Sequence, residues 1–150
     1  MGLETYDLAW NRRNFAYEFY SEGPRGRIKK QLRFQSMPEL NKNAFNVALG
    51  DQDEVTGHWD HMTISNNNDR LKVLNTVAEA IVEFIDFRPN AIILVQGSTG
   101  SRTRLYQMLL PSLWLGIGLR LEVLGKFEND WLPFQKGVNY EGFLIFKKIE

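Results

Sequence analysis

Six residues near the middle of the chain, AIILVQ at 91–96, constrain its fold more than any other stretch. A short aliphatic run with no polar alternate reads as a strand buried on both faces, with neighbours on either side. Pro89-Asn90 before it and Gly97 after it bound the run. Upstream, Leu71, Leu74, Val77, Ala78, Ile81, Phe84 and Ile85 recur at intervals of three and four, which predicts an amphipathic helix ending before Pro89. Downstream, GSTGSRTRLYQ opens a second helix with Leu105, Met108 and Leu109 toward the core, and Pro111 breaks it. Two segments earlier in the chain alternate with period two. In RIKKQLRFQ, Ile28, Leu32 and Phe34 share one face, interrupted by Lys30, while Arg27, Lys29, Gln31, Arg33 and Gln35 share the other. In AFNVALGD, Phe45, Val47 and Leu49 point inward, and the two segments are expected to pair antiparallel. Leu119, Leu121 and Val123 alternate again, and GFLIFKK adds a last strand antiparallel to the rest.

The order is strand, strand, helix, strand, helix, strand, strand. A helical crossover between residues 91 and 125 predicts one parallel pair within an otherwise antiparallel sheet. The expected class is α+β: a single domain over 1–150, with a mixed, mostly antiparallel sheet and two main helices packed on one face. A chain of 150 residues with 43% apolar and 13% aromatic content can bury a core without staples. With no cysteine, disulfides and cysteine metal sites are excluded. The N-terminal ten residues carry acids and no basic start, so no signal peptide is expected, and no apolar run is long enough for a membrane span. A cytoplasmic location follows as an expectation. Eighteen basic residues balance eighteen acidic ones, unlike a protein that coats nucleic acid.

The chemistry concentrates at the strand-to-helix turn. Gly97 and Gly100 allow close approach and unusual backbone angles, Ser98, Thr99 and Ser101 bring hydroxyls, and Arg102 and Arg104 bring charge. Free amides at a helix start suit a phosphate, sulfate or carboxylate. Inside one helix, however, residues 102 and 104 lie about 200° apart, so at most one arginine assists the turn. The Walker and dinucleotide patterns are both absent, since Gly-Ser-Arg stands where Gly-Lys-Ser/Thr would. A capped helix start with structural arginines is the plainer reading of the same residues. Asn66, Asn67 and Asp69 begin the other helix and are placed on the same sheet rim, giving a shared cleft.

Residues 51–68 form a long polar connection. Asp51, Asp53, Glu54, His58, Asp60 and His61 gather there, as a solvated acidic loop or as the source of a general base, with Asp51, Asp60 or His61 the candidates. No metal site is expected, since neither the histidine spacing nor the calcium-loop pattern is right. Arg25, Arg27, Lys29 and Arg33 either track a nucleic-acid backbone or protect an edge strand by charge. Trp131, Phe134 and Tyr140 either cover a core edge or form a partner surface. No serine–histidine–acid arrangement is present, so catalytic residues stay unassigned.

The stretches SNNNDRLKVLNTVAEAI, GSTGSRTRLYQ and NYEGFLIFKK, with GRIKKQLRF and FNVALGD upstream, resemble a family of small bacterial proteins known as a domain of unknown function. The resemblance runs from about Tyr17 to Lys147. Family members more often carry Gly where Asn68 stands, and other small residues at Gly100-Ser101. It implies a single-domain bacterial protein and brings no activity, cofactor or partner. Two functional expectations result. In the first, the domain binds a phosphate-bearing ligand, a nucleotide or RNA, at Gly97–Arg104. In the second it is a non-catalytic protein-interaction module, half of a two-protein regulatory pair, with the C-terminal aromatics on the partner surface and the arginines structural.

Overall fold

The structure, a computed structural model, describes residues 4–61, 65–97, 100–108, 110, 121–135 and 137–148, with only the backbone of Arg102. These residues form one mixed sheet and two helices. The strands are β1 (Ala9–Asn11), β2 (Ala16–Gly23), β3 (Gly26–Ser36), β4 (Ala44–Gln52), β5 (Trp59–Asp60), β6 (Ile92–Val95), β7 (Leu121–Phe127), β8 (Asp130–Pro133) and β9 (Phe143–Lys147). The helices are α1 (Arg70–Phe87) and α2 (Gly100–Gln107). The sheet runs β1-β2-β3-β4-β6-β9-β7-β8, and β5 pairs with β4 off this path. The class is α+β, and both helices lie over the face that carries Leu49, with Val73 and Leu74 of α1 and Leu105 and Tyr106 of α2 bordering one cavity.

The antiparallel pairing of β3 with β4 stands as expected, with Leu32 opposite Leu49 and Phe34 opposite Val47. The parallel pair does not. It joins β4 to β6 through α1, whereas the chain leaving β6 passes over one place and enters β7, with β9 inserted between. β6 and β7 do run the same way, since each is antiparallel to β9. A crossover pattern reports direction and is silent on adjacency, and the C-terminal strand takes the gap. β1, β2 and β8 lie in segments with no clear alternation. In β2, Tyr17, Phe19 and Ser21 are buried, but the opposite rank, Glu18, Tyr20 and Glu22, carries a ring of its own that blurs the period.

Phe84 organises the core. It stacks on Phe34 at 4.0 Å and meets Phe45 and Phe15 edge-on at 5.2 and 5.7 Å. Arg88 then lays its guanidinium over Phe84 at 4.5 Å, closing the cluster toward solvent. The helical periodicity holds for Leu74, Val77, Ala78, Ile81 and Ile85, all buried. Leu71, expected inward, is 66% exposed. Met108 is likewise exposed, and Leu109, Pro111 and Leu119 lie outside the described residues. At the C-terminal end Tyr140 is buried against Phe143, and Phe134 packs on both.

The opposite face of β3 is polar and internally matched. Gln31 is fully buried there, donating to Glu18, which also takes Asn11 at 2.8 Å and Lys29 at 3.4 Å. Trp59 lies over Gly50, where an added Cβ would meet the indole at 2.6 Å, and Arg33 stacks on it at 4.3 Å. Because β3 is interior, its basic residues do not protect an edge; Lys29 and Arg33 serve this network, and Arg27 stacks on Tyr20 at 3.8 Å. Burial alone would raise the Glu18 carboxyl, but hydrogen bonds from Gln31 and Asn11 and the Lys29 charge outweigh it and hold it below the usual glutamate range. A depressed folded value contributes stability above the unfolded value and loses it as pH falls through the folded one. Two outcomes follow, both measured by urea unfolding. Phe84→Ala should cost about 3–5 kcal/mol, and Glu18→Gln should flatten the acid limb of stability below about pH 4.

Candidate functional site

Lys30 sits on the core-facing rank of β3, between Ile28 and Leu32, where the alternation demands an apolar residue. It is 5% exposed. Desolvating an ammonium is costly unless it is paired in place. The ladder supplies the partner, because Asp51 stands directly opposite in β4, the next core-facing position after Leu49. Lys30 Nζ donates to Asp51 Oδ1 at 2.6 Å and to Ser65 Oγ at 2.7 Å. The helices do not close over these groups. A cavity of about 200 Å³ lies above them, with Lys30, Asp51, Ser65, Asn66, Asp69 and Arg70 at its polar end and Leu49, Val73, Leu74, Leu105 and Tyr106 along its apolar wall.

The approach to α1 shapes the polar end. Asn67, 2% exposed, accepts the Arg25 amide at 2.7 Å and donates to Gly26 O and Ser21 Oγ, fastening this segment to the β2–β3 turn. The contact is close enough that a Cβ on Gly23 would meet Asn67 O at 2.0 Å. Asn68 follows with φ 60, a left-handed angle that glycine takes without cost, which accounts for the glycine the resemblance implies there. Asp69 occupies the N-cap position of α1 without capping it. Its carboxylate instead accepts from Tyr6 OH at 2.6 Å and from Ser21 Oγ. Burial first, and then the bond to Asp69, push the Tyr6 hydroxyl above the usual tyrosine range. Arg70 is exposed and makes no hydrogen bond or ion pair among the described residues, and Ser65, which accepts from Lys30, has no described acceptor for its own proton.

Of the anticipated ligand residues, Asn66 and Asp69 line this cavity, together with Asp51 from the acidic connection. The described glycine-turn residues are not among its lining. The Gly97 amide donates to Thr103 Oγ1 at 3.1 Å, and Thr103 is buried one turn into α2. Gly100, Ser101 and Arg104 are exposed, and the Arg104 guanidinium folds back to within 3.4 Å of where a Gly100 Cβ would stand. Ser98, Thr99 and the Arg102 side chain lie outside the described residues. Both helices border this cavity, and α2 lines it through Leu105 and Tyr106. The missed residues are Lys30, Ser65 and Arg70. The interruption of an apolar rank by Lys30 was the visible signal for the first, and exposed residues such as Arg70 leave none.

The remaining acids of that connection are not among the cavity's described lining. Asp53 accepts the Val55 and Thr56 amides and shapes a solvent-exposed turn; those bonds hold its carboxyl below the usual aspartate range. Asp60 pairs with Asp51 in the β4–β5 register, and His61 stacks on Trp59 at 4.9 Å. Among the described residues no group of three or more histidines and acids is placed to hold a metal. No helix among them is long and apolar enough to cross a membrane.

Removing one partner of a desolvated pair leaves the other uncompensated, so the two ends of this pair should respond differently to substitution. Asp51→Asn, which leaves the buried cation, should lower stability by about 1.5–3 kcal/mol. Lys30→Met, which leaves a carboxylate within reach of water, should cost less than about 1.5 kcal/mol. Urea denaturation of the two variants reads the difference. No curated protein and no solved structure matches the chain. One family model does, over residues 2–148, and it is described as a family of unknown function, DUF6934. With nearly its whole length matched, the chain belongs to that family.

Proposed function

We propose that this domain binds a small organic ligand in the cavity between β3, β4 and the two helices, with an anionic head, carboxylate or phosphate, at the polar end. One observation carries the reading: donors without described acceptors, the Arg70 guanidinium and the Ser65 hydroxyl, flank a buried Lys30 ammonium at one end of an apolar cleft. Such a cleft with a few convergent polar groups is the usual form of a small-molecule site. The uncapped first turn of α1 adds the positive end of an 18-residue helix to the same end. Phosphate binding, first placed at Gly97–Arg104, is better supported here, because the Gly97 amide already has an internal acceptor.

Size narrows the ligand. At about 200 Å³ the cavity falls below the usual range of about 300–1,000 Å³ for drug-sized ligands. A nucleotide or an RNA end would seat one phosphate and leave the remainder outside. The better fit is a compact molecule with a short apolar body against Leu49, Leu74 and Leu105. The reading is tested by titrating labelled protein with phenyl phosphate and with 4-methylpentanoate while following amide shifts. Saturable movement should centre on residues 65–74, and Arg70→Ala should weaken it by about tenfold or more, the loss expected for one charged hydrogen bond. Movement confined to residues 96–104 would return the site to the glycine turn. No saturation with either anion would remove the reading.

A further inference from the structure

The cavity presents charges of both signs, and on that observation, resting on the small-anion reading above, we infer that its ligand is a zwitterion: an α-amino acid with an apolar side chain. The polar end holds two cations, Lys30 and Arg70, and two carboxylates, Asp51 and Asp69. A plain anion there is drawn by the first pair and repelled by the second. Neither carboxylate is fully engaged. Lys30 takes only Oδ1 of Asp51, and Tyr6 and Ser21 take only Oδ2 of Asp69, so each keeps an oxygen with no hydrogen bond among the described residues. The Asp51 side chain is also 28% exposed, against 6% for Lys30, so the open side of that pair is its acid.

An ammonium and a carboxylate 2.6 Å apart in a cavity wall present opposite charges side by side. The complementary surface is another adjacent pair of opposite sign, which an α-amino acid carries on neighbouring atoms. Its carboxylate would take the Ser65 hydroxyl and the Arg70 fork, and its ammonium the open oxygens of Asp51 and Asp69. The side chain would then lie along Leu49, Leu74, Leu105 and the Tyr106 ring, and the cavity volume suits a residue the size of leucine or phenylalanine. A peptide would not serve equally, because amide formation removes one of the two charges.

The test varies the probe and needs no variant to fold. L-Leucine, L-phenylalanine, L-leucinamide, 4-methylpentanoate (leucine without its amine), isopentylamine (leucine without its carboxylate) and phenyl phosphate are titrated separately into the unmodified chain, with amide shifts as the readout. The expected result is saturable movement at residues 65–74 and near Leu105 with the two amino acids, at least about tenfold tighter than with the deaminated, decarboxylated or amidated probes. If 4-methylpentanoate or phenyl phosphate binds as tightly as leucine, the zwitterion inference falls and the small-anion reading stands. If isopentylamine matches leucine, both fall, and they fall also if no probe moves those residues. Arg70→Ala supplies an independent arm: it should weaken leucine about tenfold and leave isopentylamine unchanged, whereas equal losses for both would overturn the assigned orientation.

Discussion

A charge on the buried face of a sheet has to be answered on that face, and the Lys30–Asp51 pair is the point around which the helical side of this domain arranges itself. Lys30 is flanked on its own strand by Ile28 and Leu32 and faces Phe19 on β2, so water reaches it poorly from three directions. Asp51 meets it only because β3 and β4 pair in a register that also sets Leu32 opposite Leu49 and Phe34 opposite Val47. A slip of one residue would turn the entire rank to the other face and separate the ions. The hydrophobic pattern and the ion pair thus specify the same register. Helices packed flush on these strands would have to desolvate both ions completely. Leaving a cavity there, with Asp51 in partial contact with solvent, avoids the greater part of that cost.

The first turn of α1 is kept in place by contacts that have nothing to do with helix capping. Residues 4–8 cross the helix, with the Tyr6 amide donating to Thr76 Oγ1 at 2.9 Å, the Tyr6 hydroxyl donating to Asp69 and Lys72 lying over the ring at 4.3 Å. Asn67 anchors the entering chain to the β2–β3 turn. An aspartate at an N-cap ordinarily takes the amides of its own helix. Here Tyr6 and Ser21 draw the carboxylate away, so the amides of residues 70–72 have no described side-chain acceptor. The geometry departs from the locally preferred one because two distant segments outcompete it. Such departures cluster where a structure serves something besides its own stability.

Legibility in the sequence followed the strength of each periodic signal. α1, the β3–β4 hairpin, β6 and β9 are all visible, because each carries a sustained apolar run or rank, broken in the hairpin only at its Lys30–Asp51 end. The adjacency of β4 and β6 was not, since pattern fixes the direction of a strand and leaves its neighbours open. Nor was β2, where Tyr20 on the polar side disguises the alternation. For the cavity, half of the pair was legible. Lys30 stands out as a break in a rank, whereas Asp51 reads as a member of an acidic loop. Counting both in the same alternation, Ile28-Lys30-Leu32 against Val47-Leu49-Asp51, would have set the two breaks opposite one another. Ser65 and Arg70 carry no such mark, because their part depends on where the loop returns to the sheet.

The glycine turn and the cavity illustrate how a local signature and a tertiary site can compete for the same chemistry. Gly97 to Arg104 contains every ingredient of an anion cradle, yet Thr103 Oγ1 already answers the Gly97 amide from within α2. A hydroxyl one turn into a helix is an intramolecular substitute for the oxygen of a ligand, and being covalently tethered it loses far less entropy in holding that position. An external phosphate would have to displace it and leave the buried Thr103 hydroxyl without that bond. At the start of α1 the corresponding internal acceptor, Asp69, has been drawn off by Tyr6 and Ser21, and the cavity lies beside the vacated turn. Among the described residues, the first turn of α1 is thus left without a side-chain cap, whereas the Gly97 amide ahead of α2 has its acceptor within the same chain segment.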